Sequence, residues 1–515
     1  MITRFSMLPG EKWWGGSTNI GFSEPFDASS SFEWDYRGNC PNQTMPLFLS
    51  SKGRYIWSEL TFRITFEKGE ISVEGDAPVT MTEAGTSLRD AYLAAMAAHF
   101  PFDDKKLPGI FFRTAQYNTW MQFTYDQNEA GILKYAHDIV ENGFEPGVFI
   151  IDEGWHGRYG LWEFDRLKFP HPKEMIDELH DMGFIVMLWV VPYVTSDGKD
   201  FDLTLWPNVN PHYNDQYLRN ARGDVALVSW WNGISAILDM TKEWDREFLD
   251  SKLRRLMDEY GVDGFKFDGG AVDSYAPRFL LNTPAQTEHT PEELNRAWNE
   301  FGSRYEFHEY KDTYRGGGKA VISRLQDRHH TWDENGILSL IPSAVVHGLL
   351  GHPYICPDMI GGGEWTYRTM YADRFDPELF VRMAECSALF PMMQFSWAPW
   401  EALDAEHLSY VRDAAMLHKS VADEIVALVD NARKTGEPVL RSLEYADPGK
   451  GFADISDEFM LGTDILVAPV LKKGETTRRV IFPSGEWISQ TDGKVFSGSA
   501  VVDAPLSVLP WFRRK

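Results

Sequence analysis

Residues 264–270 read Gly264-Phe265-Lys266-Phe267-Asp268-Gly269-Gly270, a short apolar strand that ends in a carboxylate and two glycines. A helix-like run, 245–260, comes just before it. Helix, strand, then an acid at the carboxyl end of the strand is the order in which a parallel α/β barrel presents functional residues. The stretch therefore predicts a barrel strand that delivers Asp268 to a glycine-walled pocket.

The same alternation of strand and helix extends outward from this stretch, over residues 105–425. Apolar runs predict strands at 109–115, 147–151, 184–191, 321–325, 353–356 and 390–395, and helical periodicity predicts helices at 128–142 and 172–182. The polar stretch 283–310 is predicted to be a loop that contains a helix. A doubly wound sheet is the alternative, but no Gly-x-Gly-x-x-Gly follows the first strand, which favours a (β/α)₈ TIM barrel.

The ends of the chain have a different pattern, short segments that alternate between apolar and polar residues. Segments 60–66 and 70–74 predict an antiparallel β-sandwich over 1–104, and a helix at 87–99 is predicted to lead out of it. Segments 459–462, 465–470 and 480–482 predict a C-terminal β-sandwich over 426–515. We therefore predict an α/β protein with three domains, 1–104, 105–425 and 426–515.

Composition excludes several classes of partner. The chain of 515 residues carries a formal net charge of -26 and a pI near 4.9, which argues against nucleic acid and anionic membranes. Its 19 tryptophans mildly favour a carbohydrate ligand. The N-terminus lacks the apolar core of a signal peptide and no apolar run is long enough to span a bilayer, so we expect a cytoplasmic protein. The oligomeric state stays open, with a homo-oligomer among the alternatives.

Asp268 is the first candidate for chemistry. Lys266 lies two residues before it on the same strand face, and a neighbouring ammonium would keep Asp268 ionised, as a nucleophile requires. An ion pair that only closes the barrel is the alternative. Three cysteines far apart in sequence and histidines without ligand spacing predict neither a disulfide framework nor a metal, and no cofactor is expected.

A second acid follows the strand at 321–325. Asp327 is the candidate, and Asp333 and Glu334 compete with it for the same role. Partial burial by Trp332 would raise the pKa of Asp327, whereas Arg324 and Arg328 would lower it. Two carboxylates at strand ends of one barrel are what retaining glycoside hydrolysis requires, with carboxyl groups about 5 to 5.5 Å apart.

Other strand ends carry residues suited to holding a sugar. Asp152, Glu153 and Trp155 end one strand, where a carboxylate could bind sugar hydroxyl groups and the Trp could stack on a ring, although these residues also suit a structural role. Trp230 and Trp231 are adjacent, so at most one of them faces a pocket. Asp358 precedes three glycines, which allow the backbone to approach a ligand closely, or which form only a turn.

These motifs together resemble glycoside hydrolase family 31. The order is Phe-Lys-Phe-Asp-Gly-Gly, then Arg-Leu-x-Asp-Arg, then Gly-x-Pro-Tyr-Ile-x-Pro-Asp-Met-Ile-Gly-Gly-Gly. The nearest likeness is the branch with the myogenesis-regulating glycosidase and bacterial α-galactosidases, which 230–233, 339–342 and 357–359 resemble. The resemblance implies a retaining α-glycosidase with Asp268 as nucleophile and Asp327 as acid/base.

The resemblance also suggests specificity. Trp231 and Lys311 fall where that branch has a Trp and an Arg that shape galactose selectivity, so the Lys is a departure. Residues 332–335 and 394–396 lack the Trp-x-Gly-Asp and Arg-x-His elements of many family members, which weakens an α-glucosidase assignment.

We therefore predict an exo-acting α-galactosidase whose partner is an oligosaccharide or glycoside. The residues expected to hold the terminal sugar are Asp152, Trp155, Trp231, Lys266, Arg324 and Asp358. An α-glucosidase, α-xylosidase or other α-hexosidase is the alternative within hydrolases, and a non-catalytic sugar-binding protein is the alternative outside them.

Overall fold

The computed structural model describes residues 1–195, 216–276 and 288–515. Its N-terminal part holds β1 (Ile2–Ser6), β2 (Trp13–Ser17), β3 (Ser31–Asp35), β4 (Gln43–Ser50), β5 (Arg54–Ser58), β6 (Phe62–Glu67), β7 (Glu70–Gly75) and β8 (Val79–Glu83). Strands β1, β7, β6 and β3 form one antiparallel sheet, and β2, β4, β5 and β8 pair antiparallel in another. Alternate side chains such as Ile64 and Ile56 meet in a core between the two sheets.

The middle part contains the parallel sheet of the barrel and one small antiparallel sheet. Its strands are β9 (Gln116–Asn118), β10 (Val148–Ile151), β11 (Ile185–Val190), β12 (Tyr193–Thr195), β13 (Leu227–Trp230), β14 (Gly233–Ile237), β15 (Gly264–Phe267), β16 (Phe307–Tyr310), β17 (Thr313–Tyr314), β18 (Ser323–Arg324), β19 (Ile355–Cys356), β20 (Met359–Ile360) and β21 (Gln394–Phe395). Strands β12, β14 and β13 form the small sheet, in which a hairpin joins β13 to β14.

The barrel sheet has the order β19-β18-β16-β15-β11-β10-β9-β21-β20, and each pair in it is parallel. Only Pro357 and Asp358 separate β19 from β20, so the two ends of the sheet are halves of one interrupted strand. The sheet therefore closes on itself at this point, as the predicted TIM barrel requires.

Helices cover the outside of the barrel and connect its strands. They are Leu88–His99, Ile110–Arg113, Trp120–Phe123, Glu129–Glu141, Pro172–Asp181, Glu243–Tyr260, Pro291–Gly302, Leu340–Leu349, Trp365–Thr369, Pro377–Ser387, Pro399–Ala402, Ala405–Ser420 and Ala422–Thr435. In Glu129–Glu141 the Asn128 side chain caps the amino end, and Ile132, Tyr135 and Ile139 form the buried stripe at helical spacing. No helix among the described residues is both long and apolar enough to cross a membrane.

Two predicted segments of the barrel are wrong. The apolar run 109–115 is not a strand, because it forms the helix Ile110–Arg113, and the strand lies just after it at β9. The segment 283–310, predicted to be a loop with a helix, does contain the helix Pro291–Gly302 but also contains the unpredicted strand β16; its residues 283–287 lie outside the described part of the chain. Both strands were missed for one reason, which is that they place polar side chains such as Asn118 and Glu309 inside the barrel.

The last part of the chain forms a second β structure. Its elements are β22 (Leu440–Arg441), the helix Leu443–Ala446, β23 (Phe459–Leu461), β24 (Ile465–Val467), β25 (Thr477–Ile481), β26 (Trp487–Ser489), β27 (Val495–Phe496), β28 (Ser499–Asp503) and β29 (Trp511–Arg514). Strands β25 and β28 form a pair of their own beside the larger sheet, and Val480 of β25 packs in one core with Leu466 and Phe512 of that sheet.

Candidate active site

A cavity of about 250 Å³ opens at the carboxyl ends of the barrel strands. Seven of the residues predicted from sequence line it, namely Asp152, Trp231, Lys266, Asp268, Lys311, Arg324 and Asp327. Asp152, Asp268 and Lys311 each come directly after a strand, β10, β15 and β16. The fold therefore brings together side chains that are far apart in sequence, at the end of the barrel where such sites form.

Asp268 is an almost buried carboxylate held by neutral donors. The indole N–H of Trp189 donates to its Oδ2 at 3.0 Å, and the backbone N–H of Gly269 donates to its Oδ1 at 2.8 Å. Burial raises the pKa of Asp268, but the charges of Lys311 and Lys266 and these two hydrogen bonds outweigh it and leave the pKa below its ordinary value. The site thus keeps Asp268 ionised, which is the state that a nucleophile needs.

Lys266 contacts a different carboxylate from the one predicted. Its ammonium forms a buried ion pair with Asp152, with Nζ 2.7 Å from Oδ2, and acts on Asp268 only at longer range. Asn118 donates to the same Oδ2 at 2.7 Å, and the backbone N–H of Glu153 donates to Oδ1 at 2.8 Å. These contacts fix Asp152 at the cavity wall and offset the cost of burying both charges.

Asp327 lies between two cations. The Nζ of Lys311 is 2.5 Å from its Oδ2, and the Nη1 of Arg324 is 3.0 Å from its Oδ1. Burial raises the pKa of Asp327, but the charges of Lys311 and Arg324 outweigh it, so the pKa lies well below its ordinary value. A general acid must carry a proton. For Asp327 to act as one, bound substrate has to weaken its ion pair with Lys311.

The two rival acids are not part of the cavity. Asp333 and Glu334 are exposed to solvent. Asp333 accepts hydrogen bonds from the hydroxyl of Thr331 at 2.6 Å and from the backbone N–H of Asn335 at 2.9 Å, which is the arrangement of a local turn. Of the three candidates that the residues alone left open, only Asp327 faces the cavity.

Asp358 lies behind the wall of the cavity and holds Arg324. Its Oδ1 forms an ion pair with Arg324, and its Oδ2 accepts from the backbone N–H groups of Arg328 at 2.7 Å and Gly363 at 2.9 Å. Asp358 has a φ of 147°, a strained value for a residue other than glycine. A Cβ on Gly363 would lie 2.7 Å from the Asp358 carboxylate, so a larger residue there would displace that carboxylate. Asp358 is thus placed to orient Arg324 and does not line the cavity.

Trp155 was predicted to stack on a sugar, and the structure places it in the core instead. Its side chain is fully buried and its indole N–H donates to the backbone carbonyl of Trp189 at 2.8 Å. It therefore supports Trp189, whose own indole N–H bonds Asp268. Trp231, by contrast, does line the cavity, and the residue is 54% exposed.

Among the residues that the structure describes, six more line the cavity and were not among the predicted site residues, namely Trp120, Tyr125, Glu153, Trp189, Glu364 and Trp365. Trp189 lies in an apolar strand where no sequence signal separates it from core residues. Glu153 follows Asp152 directly at a strand end, and that position marked it as a carboxylate that could bind sugar hydroxyls, although it was not among the residues expected to hold the terminal sugar. Trp120 and Tyr125 pack edge to face, with ring centroids 5.3 Å apart. Aromatic rings at a cavity mouth are suited to contact with sugar faces.

Comparison with known families gives two matches. Residues 113–421 match the model described as the glycosyl hydrolases family 31 TIM-barrel domain, and residues 436–515 match the glycosyl hydrolase family 31 C-terminal domain. Together they cover the barrel and the C-terminal sheets.

Individual relatives agree with these matches. Over 404 residues the chain is 36% identical to the myogenesis-regulating glycosidase of Mus musculus, a match over 76% of this chain and 54% of that protein. It is 24% identical to alpha-glucosidase 2 of Bacillus thermoamyloliquefaciens, over 76% of this chain and 51% of that one. The chain spans about half the length of these curated relatives. A solved structure with the same fold is a Flavobacterium johnsoniae dextranase complexed with glucose, with a TM-score of 0.83, 19% identity, and coverage of 100% of this chain and 66% of that one.

Proposed function

The chain belongs to glycosyl hydrolase family 31, and on this premise we propose that it is a retaining exo-α-glycosidase that releases terminal α-linked galactose. The observation that carries the proposal is the pair of carboxylates in one cavity, Asp268 and Asp327. Asp268 is held ionised by hydrogen bonds and by the charges around it, and Asp327 is the only one of three candidate acids that faces the cavity.

In the proposed reaction Asp268 attacks the anomeric carbon and forms a covalent glycosyl-enzyme. Asp327 gives a proton to the leaving oxygen, and in the second step it takes a proton from the water that releases the sugar. Two displacements return the sugar with its α configuration. Lys311, which contacts Asp327 and acts electrostatically on Asp268, is placed to respond to the charge change on both.

The choice of galactose rests on Trp231 and Lys311. Both line the cavity, at positions where the galactosidase-like branch carries a Trp and a basic residue. A cavity of about 250 Å³ is suited to one terminal sugar and not to the interior of a chain. The relative named alpha-glucosidase 2 favours glucose as the second candidate sugar. A non-catalytic sugar-binding role is disfavoured, because both carboxylates are present in the cavity.

We also propose the division into three domains, 1–104, 105–425 and 426–515. The family matches at 113–421 and 436–515 support the two later domains. The core between the two sheets of β1–β8, which also takes in Val272 and Tyr314 of the middle part, supports the first.

Initial rates on the nitrophenyl α-galactoside, α-glucoside and α-xyloside test the proposed specificity. We expect the galactoside to exceed the other two in kcat/KM by about 100-fold or more, because a site that hydrogen-bonds one hydroxyl epimer rejects the other strongly. Preference for the glucoside or xyloside would keep the mechanism and overturn the sugar. No turnover of any member of the panel would contradict the proposed substrate class.

A further inference from the structure

Glu153 is a cavity-lining carboxyl to which the proposed mechanism gives no role. It follows Asp152 at the end of β10 and its residue is 3% exposed. Its Oε1 accepts from the Tyr159 hydroxyl at 2.8 Å, from the Trp231 indole at 3.2 Å and from the Asn232 amide. Among the described residues its Oε2 accepts only the shared indole N–H of Trp231, at 3.0 Å. Most of the donors therefore converge on Oε1, and Oε2 keeps capacity for a ligand.

The charges around Glu153 do not compensate a second carboxylate. Lys266 is bound to Asp152, and Lys311 is bound to Asp327. Within residues 1–195, 216–276 and 288–515, no ammonium or guanidinium lies within 4 Å of Glu153. Asp268 is already ionised in the same cavity. Burying a carboxylate without a nearby cation costs free energy. Glu153 therefore holds a proton more readily than Asp268 and Asp327, two carboxylates of the cavity that lie near lysines.

We propose that Glu153 binds the terminal sugar as a protonated carboxyl, which donates a hydrogen bond from Oε2 to a sugar oxygen and so helps to determine specificity. The inference rests on the proposed function, because it assigns Glu153 to the sugar site of that enzyme. Oε1 stays the acceptor for Tyr159, Trp231 and Asn232, which also ties the tip of the β13–β14 hairpin to the cavity wall.

The titration behaviour of the surroundings is consistent with this role. Burial raises the pKa of Glu153 to about 8, with smaller increases from the charges of Asp152 and Asp268, against the hydrogen bonds from Tyr159 and Trp231. The other groups that pack around it titrate elsewhere: burial lowers the pKa of His156 to about 4, raises that of Tyr125 to about 12 and raises that of Tyr159.

Asp312, which lies next to Lys311 near the cavity, also titrates in this range. Burial raises the pKa of Asp312 to about 7, and Asp312 interacts with Asp268. A pH profile alone therefore does not identify Glu153. Comparing the pH profiles of Glu153→Gln and the wild type does identify it. The glutamine amide donates a hydrogen bond as the neutral carboxyl does, but it does not titrate.

Calorimetric binding of free galactose between about pH 6 and pH 9.5 tests the proposal without any chemical step. In the wild type we expect affinity to fall above about pH 8, toward a tenfold loss for each pH unit, as Oε2 loses its proton. Glu153→Gln should bind within about threefold of the wild type at pH 6 and show no such fall. Glu153→Ala should bind about tenfold more weakly at every pH, the value of one hydrogen bond.

Glu458 provides a matched control. It is a second buried glutamate whose pKa burial raises to about 8, and its contacts are with Arg478 and Ile481 in the C-terminal sheets. Glu458→Gln should leave the pH dependence of galactose binding unchanged. If Glu153→Gln binds as weakly as Glu153→Ala at pH 6, or if wild-type affinity rises with pH, Glu153 binds as an ionised acceptor and the proposal is wrong.

A spectroscopic measurement separates this inference from the proposed function. In infrared difference spectra between about pH 7 and pH 9.5, the wild type should lose a carbonyl band of a protonated carboxyl group. The Glu153→Gln protein should not show this loss. No sugar is needed for this signal. If galactose and the other panel sugars do not bind, the proposed function fails; if the two proteins give identical spectra, the protonated Glu153 fails.

Discussion

Replacing Asp268 by Asn should lower kcat on the best substrate by about 10⁴-fold or more, the scale on which enzymes lose rate when a catalytic nucleophile is removed. The amide has nearly the same shape as the carboxylate, and it still accepts the hydrogen bond from Trp189 or Gly269. It has no negative charge and does not attack the anomeric carbon. Initial rates at saturating substrate, measured with enough protein to detect residual turnover, give the comparison.

Asp333→Asn is the matched control for this substitution. It makes the same chemical change at an exposed turn outside the cavity, and we expect wild-type rates and thermal stability. In Asp268→Asn the negative charge that partly balances the ammonium groups of Lys311 and Lys266 is lost, which could lower stability. A thermal melt of the variant should therefore accompany the rate measurements. Activity within about tenfold of the wild type in a folded Asp268→Asn protein would remove Asp268 from the nucleophile role.

Replacing Asp327 by Ala should give a loss that depends on the leaving group. On a natural disaccharide, whose leaving oxygen needs a proton, we expect kcat/KM to fall by about 10² to 10⁴-fold. On a dinitrophenyl glycoside, whose leaving group needs no proton, the first step should lose about tenfold or less. Pre-steady-state bursts of dinitrophenol should then show the glycosyl-enzyme accumulating, because the same residue assists its hydrolysis.

Asp333→Ala and Glu334→Ala test the rival assignments under the same conditions. Both residues are exposed, and we expect neither variant to depend on the leaving group. Equal losses for Asp327→Ala on the disaccharide and the dinitrophenyl glycoside would show that Asp327 supports the site and does not act as its acid. A leaving-group effect in either rival variant would move the acid role to that residue.

The apolar strands of the barrel were predictable and the polar ones were not. Strands β10 and β11 are continuous apolar runs buried on both faces, which is the usual sign of a parallel sheet. Strand β16 contains His308 and Glu309, two residues that ordinarily indicate a surface. Glu309 is nevertheless buried, and Gln394 of β21 donates to it at 3.0 Å, a partner that no local pattern reveals.

The site shows the same division between what sequence reveals and what it does not. Strand-end position was enough to select Asp152 and Asp268, but it left Asp327 in competition with Asp333 and Glu334. It did not show which way a side chain points, so Trp155 was expected in the cavity and Trp189 was not. Trp155 lies after the end of β10, fully buried, and donates to the backbone carbonyl of Trp189, whereas Trp189 lies on β11 and its indole donates to Asp268.

The ion pair between Lys311 and Asp327 could not be predicted from the residues. Sixteen positions separate them in sequence, and β18 lies between them in the chain. Their contact lowers the pKa of Asp327. From the sequence alone, burial and nearby positive charge had opposite effects on this pKa, and the larger effect could not be identified. Substrate binding that draws Lys311 toward a sugar hydroxyl would raise the pKa of Asp327, although Arg324 would still lower it, and the acid role depends on that displacement.

The most direct test of the central claim is to trap the glycosyl-enzyme. A slow fluorinated α-galactosyl fluoride should inactivate the wild type with time, and mass spectrometry of its peptides should find one sugar on the peptide that contains Asp268. The Asp268→Asn protein should carry none. A sugar on another carboxylate, or turnover of the reagent to a β-configured product without any adduct, would contradict a retaining mechanism through Asp268.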